Sequence, residues 1–384
     1  MGGSQVAAAL AKGNQYDITV IAPLEYHEIP FNMTYIAATN DLDLYNSKVF
    51  YPRVKEEGVK YITGTCQKLT DTAISVSDGT VLTYDVAIVA TGINYPHFSP
   101  NPTVDVTKEQ RLATIQKKKA EIDAAKTIVI SGGGPIGVEV AGDIIIRNKE
   151  KKVILIHSHD VVLEKMSRPL AQKATDRLKA IGCELILNER VSSSTDKSVT
   201  LKSGKVIDCD LHIPSIREKP YSNFMPSDSI DSRGYIKVSN FKATSLSIPK
   251  VFAFGDVTNY DEVKGAARVN DQFLFVAKSV KLFLEGKPTT SYVPGFKGKV
   301  EGPLLVSIGV NHPDQYGVGP YLPSGCLNFC CFLCCCAGGP CHTPAGKGVS
   351  KMKYDWNSSN NAQAGYGISD HPLIVPKSNK ITDR

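Results

Sequence analysis

Residues 126–157 read KTIVIS, GGGPIG, VEVAGDIIIRNKE and KKVILIH in succession: an apolar strand, a glycine turn, a helix and a second apolar strand. Gly132, Gly134 and Gly137 follow the spacing G-x-G-x-x-G, which is weak alone and strong in this context. The first glycine permits a tight turn, the second lets the backbone approach a pyrophosphate, and the third lets helix and strand pack closely. Because phosphates favour the positive end of a helix, this stretch predicts a dinucleotide-binding unit.

The residue after the second strand bears on which dinucleotide binds. An NAD-binding unit carries Asp or Glu there for the ribose diol, whereas this chain has His157, Ser158 and His159. Histidines and a serine tolerate a 2′-phosphate, so the sequence favours NADPH no less than NADH. A role for both histidines as surface loop residues stays open.

An incomplete copy of the same unit opens the chain. With Gly3 aligned to Gly137, residues 3–7 (GSQVA) match 137–141 (GVEVA), and Val20, within DITVIA, meets Ile154, within KVILIH. Two such units predict two nucleotide cofactors, or one shared between them. The first copy lacks its first strand and keeps only the glycines Gly2 and Gly3.

Composition narrows the class of protein. The 384 residues are 42% hydrophobic and 21% charged, as in soluble globular proteins. The net charge of +6 is scattered and too weak to predict nucleic-acid binding. No apolar run reaches the roughly 18 residues of a transmembrane helix, and the N-terminus lacks the features of a signal peptide. Only three of ten cysteines precede residue 320, so we expect a reduced, cytoplasmic body.

Two further apolar strands end in residues suited to ligand binding. Strand 85–90 (DVAIVA) runs into Thr91 and Gly92, and strand 251–254 (VFAF) into Gly255 and Asp256. Open α/β sheets bind ligands at the carboxyl ends of their strands; a role for Asp256 as a turn cap stays open. No C-x-x-C or C-x-x-x-x-C lies near the first nucleotide unit, which excludes a redox-active disulfide there. The sequence identifies no catalytic side chain and no metal site in this body.

Together these segments resemble the two-dinucleotide-domain flavoproteins of the pyridine nucleotide–disulphide oxidoreductase superfamily. Within it they are most similar to the branch of apoptosis-inducing factor homologues and ferroptosis-suppressor-like proteins. The resemblance runs from residue 2 to about residue 320 and rests on six segments: GGSQVAAALAK, DITVIAPLEYHEIPF, DVAIVATG, IVISGGGPIGVEVAGDI, KVILIHS and KVFAFGDVTN.

The resemblance implies an α/β fold of two Rossmann-like domains, the NAD(P)H domain inserted into the FAD domain. The implied divisions are an FAD domain in two parts (1–124 and 210–290), an NAD(P)H domain (125–209), a C-terminal segment (291–323) and a Cys-rich, partly disordered tail (324–384). The implied activity is hydride transfer from NADPH or NADH to FAD, with electrons passing to a quinone-like acceptor. A flavin-poor regulatory protein that binds NAD(P)H stays open as the alternative.

The family's binding residues transfer to matching positions of this chain. The nicotinamide nucleotide would contact the turn 132–137, with Glu139 in the family's GVE motif. The flavin would contact three places: Ala90, Thr91 and Gly92; Asp256 at the ribityl chain; and the helix start at Lys264, Gly265 and Ala266.

Two departures concern the FAD phosphates and ribose. The pyrophosphate loop is reduced to Gly2 and Gly3, without the strand that the family places in mid-sheet. The acid that holds the FAD ribose is replaced near Ala22 and Pro23. We therefore expect weak FAD binding by this chain, from a shortened N-terminus rather than from evolution of a flavin-free protein.

Seven cysteines lie between Cys326 and Cys341, beside Phe329, Phe332 and Leu333. Cysteines in such a setting predict S-palmitoylation, which would bring the protein to a membrane surface. Adjacent cysteines lack the separation typical of structural zinc. A metal or cluster site, or a disordered tail without function, stays open for this segment.

Overall fold

The computed structural model describes residues 2–28, 34, 36–37, 50–52, 58–239, 242–245, 248, 250–261, 264, 266–289, 291, 306–308, 316–318 and 373–378. Gly265 and the cysteine cluster from Cys326 to Cys341, both singled out from the sequence, lie outside these residues.

Helices and strands alternate along the described chain, which confirms the predicted α/β class. Within those residues the α-helices are α1 (Gly2–Ala11), α2 (Lys108–Ala124), α3 (Pro135–Arg147), α4 (Arg168–Ala180) and α5 (Ala266–Leu284). The strands are β1 (Tyr16–Ala22), β2 (Tyr26–Glu28), β3 (Phe50–Pro52), β4 (Val59–Thr63), β5 (Cys66–Leu69), β6 (Ala73–Val76), β7 (Val81–Thr83), β8 (Ala87–Val89), β9 (Thr127–Ser131), β10 (Lys152–Ile156), β11 (Glu184–Ile186), β12 (Val191–Ser194), β13 (Ser198–Leu201), β14 (Val206–Asp208), β15 (Leu211–Pro214), β16 (Val238–Ser239), β17 (Lys242–Ser245), β18 (Val251–Ala253), β19 (Val306–Ile308), β20 (Tyr316–Val318) and β21 (Leu373–Ser378).

A seven-stranded sheet joins distant parts of the chain in the order β16-β17-β18-β8-β21-β1-β4. β1 pairs in parallel with β4, and β18 with β8. Helices α1 and α5 cover this sheet through a core that includes Val6, Leu10, Val20, Phe252 and Val276. Because β8 and β18 are parallel neighbours, the residues that follow each of them leave the sheet at the same edge.

The strand between β1 and β8 comes from the far end of the chain. β21 runs antiparallel to both neighbours, with Ile374 opposite Val20 and also opposite Ile88. Without a strand there, β1 and β8 would each leave backbone N–H and C=O groups unpaired inside the sheet, which is costly. β21 thus occupies the position for which the sequence comparison of the two units predicts a missing strand. The prediction of a partly disordered tail did not identify this strand.

A second, four-stranded sheet carries the glycine turn. Its order is β11-β10-β9-β15 with every neighbour parallel. Helix α3 begins at Pro135, three residues earlier than the sequence predicts, because proline is well tolerated in the first turn of a helix. Strand β9, turn, α3 and strand β10 form the predicted βαβ unit. The domain boundaries given above stay predictions.

The chain passes between the two sheets in two segments, and these segments pair with each other. The segment after β8 pairs with the segment after β15: Ile93 bridges Pro220, and the Tyr221 amide donates to the Gly92 carbonyl at 3.1 Å. Among the described helices, none is both long and apolar enough to cross a membrane.

Candidate functional site

The three motif glycines in the turn between β9 and α3 have different steric roles. Gly132 has φ +108°, a conformation that favours glycine. A Cβ on Gly137 would collide with the Gly132 carbonyl oxygen, whereas a Cβ on Gly134 would meet nothing within 4 Å. Gly134 stands immediately before α3, where backbone N–H groups have no helical partner. The turn therefore leaves open space at a helix N-terminus, as a bound pyrophosphate requires.

His157 lies against this turn rather than on the surface. The Gly133 amide donates to His157 Nδ1 at 3.0 Å, and the ring is buried. The surface-loop alternative is therefore wrong for His157, while His159 is exposed. His157 Nε2 lies 3.1 Å from Glu164 Oε2. The sequence analysis did not predict Glu164, because the ribose-binding acid was expected directly after strand β10.

His157, His159 and Glu164 bring one potential metal-ligand atom each within 4.8 Å of one another. The Gly133 amide hydrogen bond decides what the cluster does. An N–H donor must point at a nitrogen lone pair, so His157 Nδ1 is unprotonated and Nε2 carries the proton. Nε2 then donates to Glu164 and offers no lone pair to a metal ion. The cluster is a hydrogen-bonded pair with His159 beside it.

The flavin-side predictions converge at one edge of the larger sheet. Ala90, Thr91 and Gly92 follow β8, and Asp256 sits in the 3₁₀ turn Gly255–Val257 that follows β18. Thr91 Oγ1 donates to the Tyr221 carbonyl at 2.5 Å, a hydrogen bond between this edge and the segment that follows β15. The structure brings these four predicted residues together where parallel strands end.

The start of α1 reaches the same edge but is packed differently from the start of α3. Gly2 and Gly3 are buried. A Cβ on Gly2 would lie 2.5 Å from Phe254 Cε2 and 2.7 Å from Val269 Cγ1. The start of α1 is therefore closely packed at Gly2, a position that the repeat aligns with Ile136 rather than with Gly134.

Glu139 lies on α3, two residues after the last glycine of the turn. It is buried on α3, with Oε2 3.4 Å from Thr34 Oγ1. The structure thus places this predicted residue between α3 and the N-terminal part of the chain.

A hydrogen-bonded group joins the residues that follow β8, β15 and β18: Tyr95, Arg217 and Lys264. Of these, the sequence predicted only Lys264. Arg217 Nε donates to Tyr95 Oη at 2.8 Å and Nη2 to the Lys264 carbonyl at 3.5 Å. Partial desolvation lowers the pKa of Arg217, but Tyr95 and Asp256 outweigh it, and the pKa rises above its ordinary value. The position of Arg217, just after β15, was the only sequence signal for it.

The described cysteines are poor candidates for thiol chemistry. Cys66, Cys183 and Cys209 are free. Burial raises the pKa of Cys66 to about 12 and that of Cys183 to about 12. Since the thiolate is the reactive form, neither supplies a nucleophile at neutral pH. None of the three lies in the turns 90–92, 132–137 or 255–257.

Comparison with known proteins agrees with this geometry. The family model described as pyridine nucleotide-disulphide oxidoreductase matches residues 1–271. Apoptosis-inducing factor homolog A of Dictyostelium discoideum is 30% identical over 318 residues, 74% of this chain and 76% of that protein. FAD-dependent oxidoreductase FVFD30 of Flammulina velutipes is 30% identical over 267 residues, 67% of this chain and 79% of that protein.

The fold is also that of a solved structure, the sulfide:quinone oxidoreductase of Aquifex aeolicus. It aligns with a TM-score of 0.67 at 14% identity, covering 97% of this chain and 94% of that one. The chain therefore belongs to the pyridine nucleotide-disulphide oxidoreductase family, in the branch similar to apoptosis-inducing factor, and the predicted class of NAD(P)H- and FAD-dependent oxidoreductase is confirmed.

Proposed function

We propose that this chain takes hydride from NADH or NADPH onto FAD and delivers the electrons to a quinone-like acceptor outside the protein. The observation that carries the choice of acceptor is the state of the described cysteines. They are unpaired and their thiols are held protonated, so the described residues offer no disulfide relay. A neighbour in fold that is a sulfide:quinone oxidoreductase supports the same choice.

The nicotinamide nucleotide fits the turn before α3. Gly134 leaves the space for the pyrophosphate, and the free N–H groups at the start of α3 would donate to it. Gly132 and Gly137 hold the turn tight against Ser215, so the phosphates can approach the backbone closely. These residues bind and orient; none of them transfers a proton.

FAD fits its edge in part. The ends of β8 and β18 suit the flavin and ribityl chain, and Asp256, in the turn that follows β18, would accept hydrogen bonds from ribityl hydroxyls. Flavin supplies the hydride-accepting chemistry when bound. At the start of α1, the described residues that match the phosphate turn are Gly2 and Gly3, which are buried.

Arg217 and Tyr95 would hold the FAD-binding edge and the NAD(P)H-binding edge in a fixed relative position. The Arg217 guanidinium, near Asp256 and hydrogen-bonded to Tyr95, sits where the chain crosses between the sheets. A positive charge at this place would favour negative charge that develops on a reduced cofactor. Neither residue needs to move a proton for this role.

A second candidate function is a flavin-poor regulatory protein that binds NAD(P)H. It rests on the complete glycine turn before α3, which could bind the nucleotide with or without flavin. Flavin content after purification with added FAD separates the two candidates.

Acceptor preference tests the proposal. FAD-loaded protein is given NADH or NADPH anaerobically, with a water-soluble quinone in one series and an aromatic disulfide in the other. We expect rapid reduction of the quinone and almost none of the disulfide. Disulfide reduction that exceeds quinone reduction would overturn the choice of acceptor.

Membrane attachment through the cysteine cluster also remains a proposal. Replacement of Cys330, Cys331, Cys334, Cys335 and Cys336 by serine should release the protein from cell membranes and abolish a hydroxylamine-sensitive acyl label. Absence of that label from the parent protein would end this proposal.

A further inference from the structure

A carboxylate from a neighbouring loop lies where strand β10 itself supplies none. Glu164 follows the strand by eight residues, yet the loop folds back on the glycine turn. The Leu163 amide donates to the Gly133 carbonyl at 2.8 Å, and Leu163 has φ +55°. A non-glycine residue in that conformation is strained. The loop is therefore held in an unfavourable conformation that places Glu164 beside the turn.

His157 fixes the direction of this carboxylate. Its Nδ1 accepts from the Gly133 amide, so its Nε2–H donates to Glu164 Oε2 at 3.1 Å. The same hydrogen bond lowers the pKa of Glu164, which is ionised at neutral pH. About a quarter of the Glu164 side chain (26%) remains exposed. One end of the carboxylate is thus anchored while part of the group stays accessible to a ligand.

The cations around the loop do not reverse this negative charge. Arg168 forms two hydrogen bonds with Asp160, at 2.9 and 2.7 Å, so the nearest guanidinium already has an anionic partner. His159 is exposed and hydrogen-bonds Ser158 through Nδ1 at 3.2 Å. Lys165 follows Glu164 directly and is exposed. The buried part of the loop presents a carboxylate.

We propose that Glu164 takes the place of the absent acid at the end of β10, receives the hydroxyls of the adenosine ribose, and makes this chain select NADH over NADPH. The proposal rests on the nucleotide-binding role proposed for the turn 132–137. His157 is a positioning residue, since it acts on the ribose only through Glu164.

Charge and hydrogen bonding give the selectivity its direction. A ribose 2′-hydroxyl donates to an ionised carboxylate, whereas a 2′-phosphate offers no donor and adds about two negative charges. Like charges a few ångströms apart near a protein surface repel by enough for about a tenfold or larger difference in affinity. This direction gives a preference for NADH where the two histidines, from the sequence alone, leave NADH and NADPH open.

The test compares the dissociation constants of NADH and NADPH for four versions of the protein. Parent chain should prefer NADH by about tenfold or more. Glu164→Gln keeps the size of the side chain and removes the charge, so the ratio should move toward one. Glu164→Lys should favour NADPH. Glu150→Gln, at the opposite end of β10, is the matched control and should leave the ratio unchanged.

His157→Asn adds a readout that a purely structural role would not move. His157→Asn should lower the preference for NADH. The melting temperature of Glu164→Gln should stay at the parent value. A parent that prefers NADPH, or a ratio that Glu164→Gln leaves unchanged, would overturn the inference. Failure of the parent to bind either nucleotide would instead refute the proposed function of the turn, so the two failures are distinct.

Discussion

Helices α1 and α3 begin at matching positions of an internal repeat, but their surroundings differ. At the start of α3 a parallel strand, β9, runs directly into the glycine turn, and the space beside Gly134 is open. At the start of α1 the neighbouring strand in the sheet is β21, which is antiparallel, and Phe254 crowds Gly2. The two starts share a sequence pattern but are packed differently.

The comparison separates what a glycine-led helix does for the fold from what it does for a ligand. Both helices pack on a sheet, a mixed one for α1 and a parallel one for α3, and both precede a buried strand, so the pattern is sufficient for packing. A cradle needs in addition a strand that delivers the chain to the helix through the turn. We expect NAD(P)H binding to depend on the turn 132–137, and FAD binding to depend on the contacts at Ala90–Gly92 and Asp256.

The largest effect is expected at Gly137. The Cβ of Gly137→Ala would collide with the Gly132 carbonyl oxygen, a backbone atom that cannot turn aside as a side chain can. We expect a loss of roughly 3 kcal/mol or more in the free energy of unfolding, at or above the upper end of the usual overpacking cost. Urea denaturation measures it. Gly134→Ala is the control and should unfold like the parent, because its Cβ meets nothing within 4 Å.

Gly134→Val tests the same comparison through nucleotide binding rather than through stability. Its side chain would fill the open space beside the turn, so we expect NADH binding to weaken about 100-fold, or about 2.8 kcal/mol. The free energy of unfolding should change little. Calorimetric titration measures the affinity, and equal affinity in variant and parent would mean that the nucleotide binds elsewhere.

Asp256→Ala tests the flavin edge without touching the turn before α3. Loss of a carboxylate that accepts ribityl hydroxyls should weaken FAD retention by about 1–3 kcal/mol. Equilibrium dialysis against free FAD measures this, and NADH affinity should stay at the parent value. Asp228→Ala, at an exposed acid in a different 3₁₀ turn, serves as control. Unchanged FAD retention in Asp256→Ala would remove that residue from the site.

Gly2→Ala should have the smallest effect. The atoms that a Cβ would approach are ends of the Phe254 and Val269 side chains, which can shift. The gain in helix propensity from glycine to alanine, about 1 kcal/mol, offsets part of the cost. We expect a change under about 1 kcal/mol in thermal unfolding, and a loss as large as that of Gly137→Ala would show that both helix starts are equally constrained.

Local patterns predicted much of this molecule, and long-range pairing accounts for what they missed. The strand, turn and helix from Thr127 to Arg147 follow from hydrophobic periodicity and glycine spacing, and only the helix start shifted, because of Pro135. β21 could not be predicted, because its partners β1 and β8 lie at the other end of the chain. Glu164 escaped for a related reason: its place depends on a strained loop at Leu163 rather than on distance along the sequence.

The most direct test of the central claim is a single anaerobic experiment on one preparation. FAD-loaded protein, freed of excess FAD, is mixed with NADH and the visible flavin absorbance is followed; a quinone is then added. We expect the absorbance to fall with NADH and to return with the quinone, while the Gly134→Val protein bleaches far more slowly at the same NADH concentration. A loaded parent protein that NADH fails to bleach, or a Gly134→Val protein that bleaches as fast as the parent, would contradict the account.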